Sequence, residues 1–512
     1  MLITLQDTPA LQLHPDDNIV IALAPLYAGR RITLGKQIVT LNADVMAGHK
    51  CALRSIETGQ PVRRYGQIVG FATSPIVPGD HVHSHNLAVG DTHVTYEFGT
   101  DIRPIAYVPE AERRTFMGYR RSHGRAGTRN TIVIISTVNC SAHVVRAIAT
   151  RACAELLPQF PNVTDIVGLS HKNGCGTRDG SPELDMLQRT LAGFACHPNV
   201  AGYLFVGLGC EVNQFESLLA SQQLNDFRLP TYMGIQDIGG VAATIEEGVQ
   251  AVAAMLPSAN EARREPIPVS DLAVALQCGG SDGFSGITAN PALGHAVDLL
   301  VEQGGTAVLG ETPEVYGAEH MLIRRAVERS VGERLIERIR WWEDYTERNG
   351  FVIDNNPTPG NKSGGLTTIY EKSLGALAKG GSMPLQAVYE YAEPVVDHGF
   401  TFMDSPGYDP VSVTGQVAGG CNLITFTTGR GSCFGFRPVP SIKVSTNTAI
   451  YERMWGDMDI NAGRILENTS VEEIGREIFE KWIAVASGEL SLSEAQGIGE
   501  EEFNPWIVGA TM

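Results

Sequence analysis

The sequence predicts a multidomain α/β protein, in which an all-β N-terminal domain is followed by two α/β domains with largely parallel sheets. Its 512 residues exceed the roughly 250–300 that one hydrophobic core serves, so we expect about three domains. Residues 1–100 contain short alternating apolar runs separated by turn formers, a pattern typical of strands. From residue 118 onward apolar runs alternate with segments of helical periodicity, which indicates parallel sheets.

Changes in composition predict the domain boundaries. Residues 101–117 hold two prolines and mixed charges, which favours a linker between the N-terminal domain and an α/β domain at 118–258. The segment 256–268 is rich in proline and charge, and marks the start of a C-terminal α/β domain at 259–512. The amphipathic pattern near the C-terminus, EEIGREIFEKWIAVASG, predicts a helix that packs on the surface.

Charge and cysteine content limit the classes of partner. The formal net charge of −18 argues against a nucleic-acid partner, because phosphate binding needs a basic face. No apolar run reaches the roughly 18 residues of a membrane span, and the first residues lack a secretory pattern. Nine cysteines in such a chain favour reduced thiols, used as ligands or in cores, and a cytoplasmic location.

Five apolar runs between residues 131 and 311 each end in a loop of small, polar or thiol residues. Four of these loops carry a cysteine, and the fifth carries two glutamates: Cys140, Cys175, Cys210 and Cys278, then Glu311 and Glu314. Ligands of α/β sheets bind beyond the carboxyl ends of parallel strands. We therefore expect these thiols and carboxylates to meet His171 in one crevice, which points to an enzyme.

Histidines outside the strand ends offer further candidates. His49 lies in AGHKCAL, and the run DHVHSHN places His81, His83 and His85 on one face of a strand. Such a face could hold a divalent metal or an anion, or could be an exposed histidine-rich edge. His171, next to Lys172, is a candidate base or metal ligand, with a loop histidine bonded to backbone as the alternative.

Glycine-rich loops predict an anion-binding site. The most unusual string is CGGSDGFSGITANP at 278–291, which places Ser281 and Asp282 among four glycines before a predicted helix start. PTPGNKSGG and TTGRGS resemble it, and each holds one cation, Lys362 or Arg430. Arg129, in GYRRSHGRAGTRN, is a further carboxylate ligand candidate, or a solvated arginine at a domain-entry turn.

Several of these strings together resemble the altronate and galactarate dehydratase family. They include GHKCAL, YGQIVGFA, GDHVHSHN, GLGCE, QCGGSDGFSGITANPALG, PTPGNKSGG and TTGRGS, in the family's order over nearly the whole chain. The resemblance implies an N-terminal β-clip domain of the SAF type and dehydration of a sugar acid to its 2-keto-3-deoxy product. It also implies a divalent metal, with ferrous iron expected and manganese as an alternative. GDHVHSHN, GGTAVLGETPEVYGAEHML and EKSLG look closer to altronate dehydratases.

The expected mechanism is metal-assisted β-elimination of water from a small anionic sugar acid, in a homo-oligomer without nucleic acid or membrane. The predicted metal ligands are Cys175, Cys210 and Cys278, with Glu311, Glu314 and Cys140; one ion and an iron–sulfur cluster both remain open. His171 is the first candidate base, with His49 and Lys172 as further catalytic candidates. The substrate would be bound by Arg129, Ser281, Asp282, Lys362 and Arg430.

Alternative functions follow from the same residues. They are galactarate dehydratase, another hydroxy-acid lyase such as the sulfolactate enzymes, whose SAF-like part is a separate subunit, and a non-catalytic sugar-acid binding protein. A thiol redox protein is disfavoured because no C-x-x-C is present.

Overall fold

The computed structural model describes residues 9–35, 37–90, 94–122, 125–222, 224 and 232–509. The first domain is all-β and consists of three small antiparallel sheets, ordered β1-β2-β5-β8, β3-β4 and β6-β7-β9. Its strands are β1 (Ala10–Leu11), β2 (Ile19–Ala22), β3 (Arg31–Leu34), β4 (Gln37–Thr40), β5 (Lys50–Ala52), β6 (Pro61–Arg64), β7 (Gln67–Ala72), β8 (His81–Val82) and β9 (Leu87–Ala88). The predicted all-β domain is present.

The predicted linker is fixed against the rest of the chain. Ile105 packs against the core of the C-terminal domain, as do Tyr96 and Phe98 just before the linker. The linker ends in strand β10 (Thr115–Gly118), which pairs antiparallel with a strand of the predicted second boundary, Glu265–Pro268. The two segments of unusual composition therefore form one ribbon beside the domains.

The second domain is built on a four-stranded parallel sheet with helices on both faces. Its strands are β11 (Thr131–Ser136), β12 (Asp165–Leu169), β13 (Val200–Gly207) and β14 (Tyr232–Gly234), in the order β12-β11-β13-β14. Its helices are α1 (Ala142–Glu155), α2 (Pro182–Ala195), α3 (Phe215–Gln222), α4 (Ile235–Ile238) and α5 (Val241–Ala259). Strand β11 is buried at every position, as expected for a parallel sheet covered on both faces.

The C-terminal domain follows strand β15 (Glu265–Pro268) and is built on a seven-stranded parallel sheet. Its strands are β16 (Ala273–Cys278), β17 (Thr306–Leu309), β18 (Leu385–Tyr389), β19 (Gly399–Met403), β20 (Leu423–Thr428), β21 (Ser441–Ser445) and β22 (Ile460–Asn461), in the order β18-β19-β17-β16-β20-β21-β22. Its helices are α6 (Ala289–Glu302), α7 (Glu319–Ile323), α8 (Arg329–Arg348), α9 (Pro359–Ser363), α10 (Ile369–Leu377), α11 (Asp409–Ala418), α12 (Thr448–Arg453), α13 (Val471–Ala486) and α14 (Leu492–Ala495).

All five predicted strands are present, but they belong to two sheets. Strands β11, β12 and β13 lie in the four-stranded sheet, whereas β16 and β17 lie in the seven-stranded sheet. The expectation of a single crevice for all five loops is therefore wrong, because each sheet has its own carboxyl edge. None of the described helices is both long and apolar enough to cross a bilayer.

The predicted surface helix near the C-terminus is part of the core. Helix α13 packs along α6, with Ile478 and Trp482 completely buried. The Trp482 Nε1 atom donates to Thr425 Oγ1 at 2.7 Å, so the polar atom of this buried ring is satisfied. The apolar face of α13 is covered by its neighbours, α6 among them. The amphipathic sequence pattern alone does not distinguish such a core helix from a surface helix.

A buried cluster of charges joins the N-terminal domain to the C-terminal domain. Glu371, in α10, accepts hydrogen bonds from Lys50 Nζ at 2.8 and 2.9 Å and from Arg64 Nη1 at 2.5 Å. All three side chains are almost fully buried. Burial alone would raise the pKa of Glu371, but Lys50 and Arg64 outweigh it and lower the pKa to about 2. This carboxylate is therefore charged throughout the physiological pH range.

Replacement of Glu371 by Gln should destabilise the protein by about 3–5 kcal/mol, since it leaves two buried cations without their counter-charge. Guanidinium unfolding followed by circular dichroism measures this. In the native protein the lowered pKa of Glu371 makes its contribution complete above pH ~4.5, the ordinary value for a glutamate, and it is lost as the pH falls towards about 2.

The matched control is Glu480→Gln, which removes an exposed ion pair to Arg114 and should cost about 0–1 kcal/mol. Equal unfolding midpoints for the two variants would contradict the role given to Glu371.

Candidate active site

The carboxyl edge of the seven-stranded sheet brings a thiol and two carboxylates together. Cys278 is the last residue of β16, and Glu311 and Glu314 lie in the loop that follows the adjacent strand β17. One potential ligand atom from each of the three lies within 4.8 Å of the other two, and all three residues are buried. Among the described residues this is where three potential metal ligands converge. Cys278, Glu311 and Glu314 are thus brought together as predicted.

Two buried lysines complete this cluster. Lys372 Nζ donates to Glu314 Oε1 at 2.5 Å and to Asn356 Oδ1 at 2.8 Å, and Lys379 Nζ lies 2.9 Å from Cys278 Sγ. Burial would lower the pKa of each lysine, but nearby acidic groups, Glu314 first for Lys372 and Cys278 first for Lys379, raise it above the ordinary value. Both lysines therefore stay positively charged.

Glu311 is a buried carboxylate whose two oxygens lack hydrogen-bond partners among the described residues. The residue is 1% exposed. Its backbone is left-handed, with φ 67°, and its N–H donates to Ser405 Oγ at 2.8 Å. Burial and, next, the neighbouring Glu314 raise the pKa of Glu311 well above its usual value. A buried acid without a partner is costly, so this site is suited to a ligand.

The donor set fits a divalent metal ion. Two carboxylates and one thiol are the ligand types that iron and manganese accept, and the two orphaned oxygens of Glu311 supply donors that nothing else uses. Burial raises the pKa of Cys278 to about 11 despite the nearby Lys379, so its thiol would lose its proton on metal binding. The fit rests on Cys278, Glu311 and Glu314 together.

Asp409 lies at the edge of the cluster and is half-buried. Its Oδ1 atom accepts from Gln277 Nε2 at 2.7 Å, and it begins helix α11. Burial and, to a smaller extent, the charge of Glu314 raise the pKa of Asp409 to about 6. A carboxylate with this pKa can take or give a proton near neutral pH.

A small cavity beside Cys278 is closed by the N-terminal domain. Arg64 and Tyr65 line it from one side, and Cys278, Ser281 and Lys372 from the other. The buried Ser281 Oγ has no hydrogen-bond partner among the described residues. The predicted substrate loop therefore reaches the cluster.

Asp282 is held within its own loop region. Its carboxylate accepts from Thr446 Oγ1 at 3.0 Å and from Ser285 Oγ at 3.1 Å, and Gly429 packs against it. It also lines the cavity. Asp282 therefore fixes the shape of the site, and its predicted role in substrate binding stays a prediction.

The predicted histidine cluster forms on the N-terminal domain and faces the loop that contains Lys362. The rings of His49, His81 and His83 lie with centroids 5.2–5.4 Å apart. His49 Nε2 lies 3.2 Å from the carbonyl oxygen of Ser363, and His83 Nε2 lies 2.9 Å from that of Lys362. Burial lowers the pKa of all three histidines, that of His81 to about 3, so they are neutral at pH 7.

The loop that carries Lys362 lies next to the other predicted substrate loops. The Gly283 N–H donates to the Gly364 carbonyl oxygen at 2.8 Å, and Asn361 Nδ2 donates to the Ser281 carbonyl oxygen at 2.8 Å. A side chain on Gly364 would contact Arg430. Three glycine-rich loops thus meet in one region, with Lys362 half-buried and Arg430 exposed.

His171 is not in this cluster and is correctly described by the alternative interpretation. It follows β12 of the other sheet and is 4% exposed. Its Nε2 atom bonds to the Ser136 carbonyl oxygen at 2.9 Å, and Nδ1 accepts from the Asn173 N–H at 3.1 Å. Both ring nitrogens are used by backbone, so this geometry gives no support to His171 as the base, and that role stays a prediction. The adjacent Lys172 is exposed on the same loop after β12 of the four-stranded sheet, whereas Cys278 ends β16 of the seven-stranded sheet.

Arg129 is structural. Its side chain bonds to both carboxylate oxygens of Glu494, at 2.6 and 2.7 Å, and donates to the carbonyl oxygens of Thr128, Val485 and Glu489. It is 2% exposed. Its predicted role in substrate binding stays a prediction without structural support, because the donors of the guanidinium group already have partners in the protein.

Cys140, Cys175 and Cys210 follow β11, β12 and β13 and are exposed at the edge of the four-stranded sheet, whereas Cys278 is buried in the other sheet. The prediction that all four thiols share one cavity was wrong. Lys372, Lys379 and Asp409 were not predicted from the sequence. The small, mostly apolar residues 373–378 between Lys372 and Lys379 were the available signal that these lysines are buried.

The fold and this cluster are those of an α/β enzyme whose buried site combines potential metal ligands with fixed cations. Three domain families match the chain: the altronate/galactarate dehydratase SAF domain at residues 8–90, the D-galactarate dehydratase/altronate hydrolase second domain at 118–260, and the D-galactarate/altronate dehydratase C-terminal domain at 269–511. The chain belongs to the altronate/galactarate dehydratase family, and is a sugar-acid hydro-lyase.

Three full-length relatives agree with this. The chain is 36% identical to altronate dehydratase of Bacillus subtilis, over 94% of this chain and 95% of the relative. It is 36% identical to galactarate dehydratase (L-threo-forming) of Escherichia coli, over 98% of both chains. It is 33% identical to altronate dehydratase of Escherichia coli, over 96% and 97%. Overall identity does not separate the two substrates.

Replacement of Cys278 by Ser or Glu311 by Gln should weaken the binding of ferrous or manganous ions at least tenfold, because each change removes a predicted ligand. Anaerobic calorimetric titration of the metal-free protein measures this. Cys421→Ser is the matched control, since Cys421 is also completely buried in the C-terminal domain but lies in no such group. Unchanged affinity in both site variants would remove the ion from this cluster.

Proposed function

We propose that the protein dehydrates an altronate-type aldonic acid to its 2-keto-3-deoxy acid, by metal-assisted β-elimination at the Cys278 cluster. The observation that carries the proposal is the buried group of two carboxylates and a thiol beside two lysines. Membership of the family supplies the reaction class. The altronate preference rests on GDHVHSHN, GGTAVLGETPEVYGAEHML and EKSLG in this sequence.

The obstacle in this reaction is the weak acidity of the proton beside a carboxylate. A divalent ion held by Cys278, Glu311 and Glu314 would supply Lewis-acid stabilisation of the developing negative charge. The C2 proton passes to a base, the C3 hydroxyl leaves with a proton as water, and the enol formed tautomerises to the 2-keto-3-deoxy acid. The protein must place a base and fixed positive charge around one substrate carboxylate.

Lys372 and Lys379 supply the fixed positive charge. Both are buried and both stay protonated, because the pKa of each is raised. Cations held in a dry site stabilise charge that grows during the reaction without having to reorganise. We assign them to electrostatic stabilisation of the substrate carboxylate, since a lysine with a raised pKa is a poor base.

Asp409 is the candidate base. Its pKa of about 6 leaves it ionised at pH 7 but still able to hold a proton. It is half-buried at the rim of the cluster, where a substrate can reach it, and Gln277 orients it. His49 is the competing base, because it is neutral and lies on the domain that closes the site. Ser281, Asp282, Lys362 and Arg430 are the proposed substrate-binding residues.

Galactarate is the alternative substrate, and it is favoured by the equally high identity to a galactarate dehydratase. Both substrates present a carboxylate next to a hydroxyl-bearing carbon, so the cluster at Cys278 accepts either. The two substrates differ at the far end of their carbon chain, where an aldaric acid carries a second carboxylate. The exposed Arg430 and the half-buried Lys362 are suited to that end.

The enzyme loaded with ferrous ions should form a semicarbazide-reactive 2-keto acid from altronate faster than from galactarate, and a chelator should abolish the activity. Addition of ferrous or manganous ions should restore it. Binding of altronate without any keto acid, and with no effect of a chelator, would instead identify a non-catalytic binding protein.

Replacement of Asp409 by Asn should lower kcat at least a hundredfold with little change in KM, because it removes the base without removing a substrate ligand. His49→Gln should lower kcat less than tenfold. Steady-state kinetics of both variants decide between the two bases, with metal content measured in each. The reverse order of effects would assign the base to His49.

A further inference from the structure

The carboxyl edge of the four-stranded sheet holds three exposed thiols on three adjacent strands. Cys140 follows β11, Cys175 follows β12 and Cys210 follows β13. These strands are neighbours in the sheet, with β11 between the other two. The dehydration mechanism at Cys278 uses none of them. Three exposed thiols at one edge of a buried sheet therefore call for a separate explanation.

Hydrogen bonds tie the three loops to one another. The Asn139 N–H donates to the Asn173 carbonyl oxygen at 3.0 Å, which joins the loops of Cys140 and Cys175. The Asn213 N–H donates to the Gly174 carbonyl oxygen at 3.0 Å, which joins the loops of Cys175 and Cys210. Each cysteine is one to three residues from one of these bonds.

The loops of Cys140 and Cys210 are also joined directly. Thr137 Oγ1 donates to Glu211 Oε1 at 2.6 Å, and Asn213 Nδ2 donates to the Thr137 carbonyl oxygen at 2.9 Å. Every pair of the three loops is thus bonded. Gly174, at φ 103°, packs so closely that a side chain there would collide with the Thr137 carbonyl oxygen. The thiols therefore extend from a rigid base.

The three thiols are not gathered as closely as a single ion requires. Two thiolates on a single zinc-type ion can be at most about 4.6 Å apart, because each bond is about 2.3 Å. In the described part of the chain, no group of three ligands within 4.8 Å includes these cysteines. A multi-iron cluster does not require such close contact, since each thiolate binds a different iron.

We propose that Cys140, Cys175 and Cys210 bind an iron–sulfur cluster. Three thiolates would leave one iron of a four-iron cluster without a cysteine ligand, and the three cysteines are exposed at the carboxyl edge of the sheet, where ligands of α/β sheets bind. Lys172 and Arg178, exposed on the loop of Cys175, supply positive charge beside the anionic cluster. This site is separate from the proposed metal at Cys278.

Anaerobic reconstitution of the full chain with ferrous ions and sulfide tests the proposal. Bound iron and acid-labile sulfide, together with an absorbance band near ~400 nm, are expected for the native protein. Cys140→Ser, Cys175→Ser and Cys210→Ser should each lower bound sulfide at least fivefold. The matched control is Cys433→Ser, because Cys433 is also exposed but follows β20 of the other sheet, and it should keep the native content.

Two outcomes would overturn the cluster. One is native protein that takes up iron or zinc but no sulfide. The other is an equal loss of sulfide in Cys433→Ser and in the three site variants. Because sulfide content is independent of dehydration, failure here leaves the proposed function at Cys278 untouched. Cys278→Ser is expected to keep its sulfide, which separates the two sites.

Discussion

The contact on which the active site depends is the buried pairing of Glu371 with Lys50 and Arg64. Helix α10 carries Glu371 and Lys372 in succession. Glu371 binds the N-terminal domain, whereas Lys372 binds Glu314 in the buried cluster around Cys278. One helix therefore holds the domain that closes the cavity and one of the cations inside it. Movement of the N-terminal domain would disturb the charges at Cys278.

The pairing contributes more to position than to stability. Desolvation of three charged groups costs several kcal/mol per ion, and their attraction offsets this only when each hydrogen bond is made. Here Glu371 also accepts from the N–H and the hydroxyl of Thr367, so its lone pairs are filled. Apolar side chains of similar volume in place of Lys50, Arg64 and Glu371 would give a contact of similar stability, but they would not fix Arg64 beside the cavity. We infer that the charges are retained for this geometry.

The sequence predicted the strands well because their burial leaves a simple pattern. Each of the five apolar runs between residues 131 and 311 became a parallel strand, and the glycine-rich loops that follow β16 and β20 do meet. Which strands share a sheet could not be predicted, because β13 and β16 have the same pattern and differ only in their neighbours. His171 illustrates the consequence, since its position at a strand end looked catalytic while its partners are backbone atoms.

Lys372 and Lys379 were not predicted as site residues for a different reason. Lys372 and Lys379 read as ordinary helical lysines, which are usually exposed. Only tertiary structure shows that they are buried and that their partners come from two other segments. A buried charge depends on contacts between segments distant in sequence, so local composition does not reveal it. The same limit applies to Glu371.

The balance of charge at the cluster supports the metal ion proposed there. With Cys278, Glu311, Glu314 and Asp409 ionised, one thiolate and three carboxylates face two lysines, which leaves two negative charges in a buried site. Burial and the neighbouring Glu314 raise the pKa of Glu311, so its charged form is disfavoured without a further cation. A substrate carboxylate would add a third negative charge. A divalent cation would offset two of these three charges, so metal binding would favour the binding of an anionic substrate at this acidic cluster.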